Sequence, residues 1–116
     1  MTPRSPAAWA AQGFLDRFQR RQRLSALMER DHGVCFWCER RVSIVKVKAG
    51  QRHPKHAATE DHVIPKVKGG ADVLSNLVLS CWRCNNERGG MDAEAFLELR
   101  STQRRAGRVN VCEAVQ

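Results

Sequence analysis

Four cysteines stand in two Cys-x-x-Cys pairs, Cys35/Cys38 and Cys81/Cys84, with Asp61 and His62 between the pairs and Asn85 directly after the second. Zinc takes thiolates in a tetrahedron, and each Cys-x-x-Cys turn sets two sulfurs where they can share one ion, so the two turns predict a closed structural Zn²⁺ site. The stretch from Cys38 to Cys81 exceeds the ~15–20 residues of a simple zinc ribbon, and a folded insertion is therefore expected inside the knot. Within it, Asp61 and His62 are neighbours near the end of a strand-like segment, where successive side chains point to opposite sides. One can hold a metal while the other faces a substrate. Asn85, placed by the last zinc ligand, can bring its amide oxygen to the same hard divalent cation as Asp61.

These residues need elements to hold them. Ser5-Pro6 reads as a helix N-cap followed by proline at the first helical position. Phe14, Leu15 and Phe18 mark one apolar face and Leu24, Leu27 and Met28 a rotated one, which predicts a bend or two helices ending near Arg30. Val42 to Val47 is β-branched and partly alternating, and Ala49-Gly50 offers a turn, so a strand or hairpin is expected there. Thr59 to Ile64 reads as a short strand stopped by Pro65, Leu77 to Ser80 as its antiparallel mate, and Lys66 to Asn76, with Gly69-Gly70, as a wide loop between them. A helix from Trp82 to about Arg88 should end at Gly89-Gly90, and Asp92 can cap a last helix running to about Arg104 with Phe96, Leu97 and Leu99 toward the core. The expectation is a small α+β domain, with an N-terminal helical extension over residues 1–23, the metal-bearing domain over 24–105 and a flexible tail over 106–116.

Composition bounds what this domain can be. At 116 residues, with 42% apolar and 6% aromatic content, the chain has room for a modest core, and a structural metal would supply a real share of its stability. No signal-peptide pattern and no uncharged apolar run of ~18 residues is visible, so a soluble, cytoplasmic protein without membrane contact is expected. In a reducing compartment close-set cysteines are metal ligands more often than disulfides, and Cys112 is left as an ordinary thiol. The formal net charge of +8 points to a polyanion. Arg40, Arg41, Lys46 and Lys48 lie in a basic stretch that could track a phosphate backbone, and Lys66, Lys68, Arg83 and Arg88 are further phosphate-contact candidates. Trp37 and Trp82 are expected to pack the zinc site, and His32, His53 and His56 to lie on the surface.

The run Asp61-His62-Val63-Ile64-Pro65-Lys66, Gly69-Gly70, and Ser75-Asn76-Leu77-Val78-Leu79-Ser80-Cys81-Trp82-Arg83-Cys84-Asn85-Asn86 resembles the HNH endonuclease family, in order and in spacing. The Cys35-Phe36-Trp37-Cys38 knuckle with its Arg30-Asp31-His32-Gly33 lead-in resembles the zinc-containing branch, and the likeness spans roughly residues 24 to 90. It implies a ββα-metal finger, with His62 as general base, Asn76 as the residue that ties down the loop between the strands, and Asn85 in the third position, making an H-N-N variant. It implies one-metal hydrolysis of a phosphodiester that leaves a 5′ phosphate, with Mg²⁺ or Mn²⁺ on Asp61 and Asn85.

Two function classes follow. The first is a DNA endonuclease, nicking or double-strand, of phage, mobile-element or defence type. The second is a zinc-dependent DNA-binding module that cleaves nothing, acting as a subunit of a packaging or regulatory complex. Retention of Asp61, His62 and Asn85 together favours the first, and a ribonuclease remains open at this stage. In so short a chain, low sequence specificity or direction by a targeting or packaging partner is expected.

Overall fold

A computed structural model describes the backbone from residue 6 to residue 115 and the side chains from 16 to 107. The elements in order are helix α1 (Pro6–Arg30), strand β1 (Ala58–His62), strand β2 (Leu77–Cys81), helix α2 (Trp82–Arg88) and helix α3 (Ala93–Val115), with single 3₁₀ turns at Lys66–Lys68 and Leu74–Asn76. The architecture is α+β, as the sequence implies, and its sheet has two strands.

The strands are short because Pro65 cannot continue β1 and Cys81 turns the chain into α2. They pair antiparallel with Ala58 opposite Cys81, Glu60 opposite Leu79 and His62 opposite Leu77. Every residue of β2 is buried, which suits its Leu-Val-Leu-Ser-Cys sequence. So small a sheet is marginal alone and needs a covering helix. Helix α1 supplies Leu27, with Leu24 and Met28 beside it, and α3 supplies Phe96, with Ala93 and Leu97.

Trp37 sits at the centre with no exposed surface. Its ring meets Phe36 edge-on at 4.9 Å and Phe96 at 5.3 Å, and the Arg88 guanidinium lies 4.8 Å over its face. Arg30 and Asp31 close the joint between α1 and β2. The Arg30 guanidinium donates to the carbonyls of Leu74 and Leu77, and Asp31 accepts the Leu79 N–H at 3.0 Å.

The elements depart from expectation at four places. Helix α1 is one continuous helix through the point where a bend or break was expected; Ser5, its expected cap, lies outside the described residues. The β-branched segment Val42 to Val47 forms no strand. Single bridges from Val34 to Arg41 and from Ser43 to Ala57 take its place, and Ile44 is exposed. Propensity alone does not make a hairpin, and here the buried side chain is Val42 while Ile44 stays in solvent. Leu99, expected in the core, is 42% exposed. Helix α3 also runs past Arg104 to Val115, beyond the position at which a tail was expected to begin; the Cys112 side chain lies outside the described residues.

Candidate functional site

The cysteine scaffold is built from local turns. In the first knuckle Cys35 N–H donates to the Arg40 carbonyl and Glu39 N–H to the Cys35 carbonyl, with Glu39 in the left-handed region at φ 64°. In the second, Cys81 is the N-cap of α2 and its sulfur accepts the Cys84 N–H at 3.3 Å. The knuckles are joined through the sheet, since Phe36 N–H donates to the Leu79 carbonyl at 2.8 Å.

The four sulfurs come together within 4.8 Å of one another, all from buried residues. Zn–S bonds of ~2.3 Å in a tetrahedron put sulfurs ~3.8 Å apart, so the cluster fits one Zn²⁺. The thiols also cannot all ionise on their own terms. Contacts from Cys38, Cys81 and Cys84 hold the Cys35 thiol far below its usual range, and Cys38 is drawn to about 6 as contacts from Cys81 and Cys84 outweigh an opposing one with Cys35. Cys81 and Cys84 are pushed upward, chiefly against Cys35 and Cys38. Repulsion of this kind among crowded thiolates is what a bound cation removes. Arg100 of α3 donates to the Cys84 sulfur at 3.3 Å and to Glu87, adding positive charge beside the cluster. Arg104, one turn on, donates to the Trp37 carbonyl and lies 3.3 Å from Glu39.

Asp61 and His62 leave β1 on opposite sides. Asp61 turns inward, where one carboxylate oxygen accepts Trp37 Nε1–H at 3.0 Å and the other pairs with Arg88 Nη1 at 2.9 Å. Burial pushes this carboxyl upward, and Arg88 and Trp37 oppose that push. Arg88 is 3% exposed and also donates to the carbonyls of His62, Val63 and Met91. It therefore does not face solvent as a phosphate contact would; it is the interior cation of the domain, holding the end of β1 to the end of α2. A buried charge so completely hydrogen-bonded is costly to disturb on either side.

His62 turns outward, to a side chain 18% exposed, and its Nε2 lies 2.6 Å from Asp72 Oδ1. Lys66 Nζ approaches the other Asp72 oxygen at 3.1 Å. The His62 contact above all, with Lys66, holds the Asp72 carboxyl below its usual range. An ionised carboxylate only accepts hydrogen bonds, so Nε2 carries the proton and Nδ1 is the basic nitrogen of the neutral ring.

Asn76 clasps the loop. Its Oδ1 accepts Ile64 N–H at 2.9 Å and its Nδ2 donates to the carbonyls of Ile64 and Ala71, each at 3.1 Å. Gly70 fits against the same peptide, and a Cβ there would lie 1.7 Å from the Ile64 carbonyl oxygen. That close approach is what the Gly69-Gly70 pair accommodates.

Asn85 gives both of its hydrogen bonds from Nδ2, to Thr59 Oγ1 at 3.0 Å and to the Glu60 carbonyl at 3.2 Å, tying α2 to β1. One oxygen of Asp61 accepts from Trp37 and the other from Arg88, while the Oδ1 of Asn85 takes no hydrogen bond among the described residues, so a divalent cation shared by the two would compete with Arg88 for Asp61.

Among the basic candidates, Arg40, Arg41, Lys46, Lys48, Lys66 and Lys68 are exposed and Arg83 is half-buried. Trp82 does not pack the cluster as Trp37 packs the core; it stacks parallel to His53, ring centres 6.3 Å apart. Asp72 was absent from the sequence reading. Its only signal is position, two residues after the glycine pair, and the loop has to fold before that places it on His62.

An antiparallel pair of strands, a short helix and a cluster of four cysteines joining them define a small ββα domain whose cysteines suit a zinc site. The family model described as HNH endonuclease matches residues 35–90, from the first knuckle to Gly90, in agreement with the resemblance carried by the sequence. No curated protein matches the chain. No helix among the described residues is long and apolar enough to cross a membrane.

Proposed function

We propose that this chain is a DNA endonuclease that hydrolyses phosphodiester bonds with His62 as general base. The observation that carries the reading is the His62–Asp72 pair, outward-facing at the end of β1 inside the HNH segment. Asp72 orients the ring and fixes its tautomer. Nδ1 of the neutral imidazole takes a proton from water as it attacks phosphorus, and the imidazolium that results is stabilised by Asp72. Asn76 and Gly70 hold the loop that presents Asp72, and Arg88 with Asp61 holds the strand end that presents His62. Exposed Arg40, Arg41, Lys46, Lys48 and Lys68 are suited to the phosphate backbone.

A divalent cation such as Mg²⁺ or Mn²⁺ would neutralise charge developing on the phosphate. The protein groups that act at the reacting phosphate are His62 and Asp72, and Asp61 is held by Arg88. The same observation favours a second reading, a zinc-dependent DNA-binding module in which Asp61 and Asn85 are structural. Cleavage separates the two. Supercoiled plasmid is incubated with the protein in Mg²⁺, Mn²⁺ or EDTA, alongside His62→Ala. Loss of roughly 10²- to 10⁴-fold in rate for the variant is expected if His62 is the base. A variant that cuts as fast as wild type rejects the nuclease reading, and a wild type that binds plasmid in every cation without cutting supports the binding module.

A further inference from the structure

Helix α1 belongs to the domain by its C-terminal half, where Leu27 is in the core. The face that carries Leu27 continues toward the N-terminus through Arg23, Arg20, Gln19 and Asp16, which stand at helical spacing. These four line a cavity of about 320 Å³ whose far wall is Glu60, Lys66 and Asp72. Asp72 is shared between this cavity and His62, so the cavity lies one side chain from the proposed base.

The lining holds three acids and three bases, and they differ in whether each has a partner. Glu60 takes both arms of Arg23, at 3.0 and 2.8 Å. Asp72 is taken by His62 and Lys66. Asp16 is engaged as well. Arg20 forms no ion pair among the described residues, and Gln19 stands beside it with an amide that can donate. Arg17 and Arg21, one residue either side of this face, are exposed and carry no ion pair among the described residues either. An anion is the ligand that such a lining leaves room for.

We propose that this cavity seats a backbone phosphate of the DNA strand being cut, next to the one at His62, with Arg20 as its principal contact and Gln19 beside it. Helix α1 then adds its basic face to the DNA contact made by exposed Arg40, Arg41, Lys46 and Lys48. The α1 residues in question lie outside the segment that matches the HNH endonuclease model. The inference rests on the nuclease reading for the nature of its ligand. It explains why a helix with a strongly basic exposed half is fixed beside the loop that carries Asp72.

The test uses the full chain carrying Arg20→Ala or Arg20→Glu and a fluorescent duplex oligonucleotide, with anisotropy measured across a salt series. Arg20 is exposed, so both variants should melt like wild type; Arg20→Lys controls for charge. A lost phosphate contact predicts affinity weakened roughly fivefold for Arg20→Ala, more for Arg20→Glu, and a salt slope shallower by about 1. In plasmid cleavage KM should rise with kcat little changed, and Arg20→Lys should recover most of the loss. Wild-type affinity and slope in Arg20→Glu overturn the inference, and so does loss of affinity accompanied by a lower melting temperature in both variants. The nuclease reading fails separately, through His62→Ala retaining cleavage; a wild type that binds no duplex overturns both.

Discussion

At the scale of single residues, the domain separates two adjacent side chains into two jobs. Asp61 is taken into the interior by Trp37 and Arg88, while His62 meets Asp72 at the surface. Strand alternation makes this division unavoidable once β1 packs one face on Trp37. Asp72→Asn keeps the size of the side chain but removes the charge that stabilises an imidazolium. Its expected outcome is a cleavage rate lower by roughly 10- to 100-fold with DNA affinity unchanged or slightly higher, read from single-turnover cleavage and anisotropy in parallel. Equal cleavage rates for Asp72→Asn and wild type would remove Asp72 from the mechanism. Gly70→Ala tests the clasp beneath it. With a Cβ 1.7 Å from the Ile64 carbonyl, the loop has to move, and a loss of about 2 kcal/mol or more in urea unfolding is expected.

At the scale of elements, the joint between α1 and β2 is electrostatic as well as apolar. Arg30 above all holds the Asp31 carboxyl below its ordinary range, and the Leu79 N–H reinforces that. A carboxyl with a depressed folded-state pKa contributes stability that is present above its unfolded value, near 3.8, and is lost as pH falls through the folded value. Asp31→Asn should therefore lower stability by about 1 kcal/mol at neutral pH. The gap between variant and wild type should stay constant down to the ordinary carboxylate range and close below it, as followed by urea unfolding at each pH. A gap that widens with acid would contradict the assignment. The elements themselves were largely legible in the sequence. β1, β2 and α2 follow from Pro65, the buried Leu-Val-Leu run and the glycine pair after Arg88, because each is set by local chemistry. Val42 to Val47 was misread as a hairpin because its β-branched residues meet the same local rule, whereas Val42 enters the core and the segment's one bridge is from Ser43 to Ala57.

At the scale of the whole molecule, the cluster of four cysteines is the point at which both knuckles, the sheet and α3 meet. Arg100 carries α3 to Cys84, and Arg104 carries it to Trp37 and Glu39. With a core this small, removing a ligand should remove the fold. Cys81→Ser is expected to release the metal and unfold the domain, checked by metal content and by circular dichroism, and a strong chelator should do the same to wild type. A chelated protein that keeps wild-type secondary structure and melting would show that the core suffices without metal.

Chemistry written in short spans was determined by the sequence alone: two cysteine turns that suit zinc, a strand ending in Asp-His, a loop with its glycine pair and asparagine, and a basic balance of charge. Local geometry decides each of these, so residue type and spacing are enough. Which side chains meet across the chain was decided only by the tertiary structure. Arg88 reads as a surface cation but is drawn inside because Asp61 and three carbonyls need a donor there. Asp72 reads as a loop residue but reaches His62 because Asn76 and Gly70 fold the loop back onto Ile64. The face of α1 beside that loop lines a cavity with Asp72 because Leu27 anchors the helix against the sheet. Long-range pairings of this kind depend on what packing leaves unsatisfied, and no stretch of sequence carries that by itself.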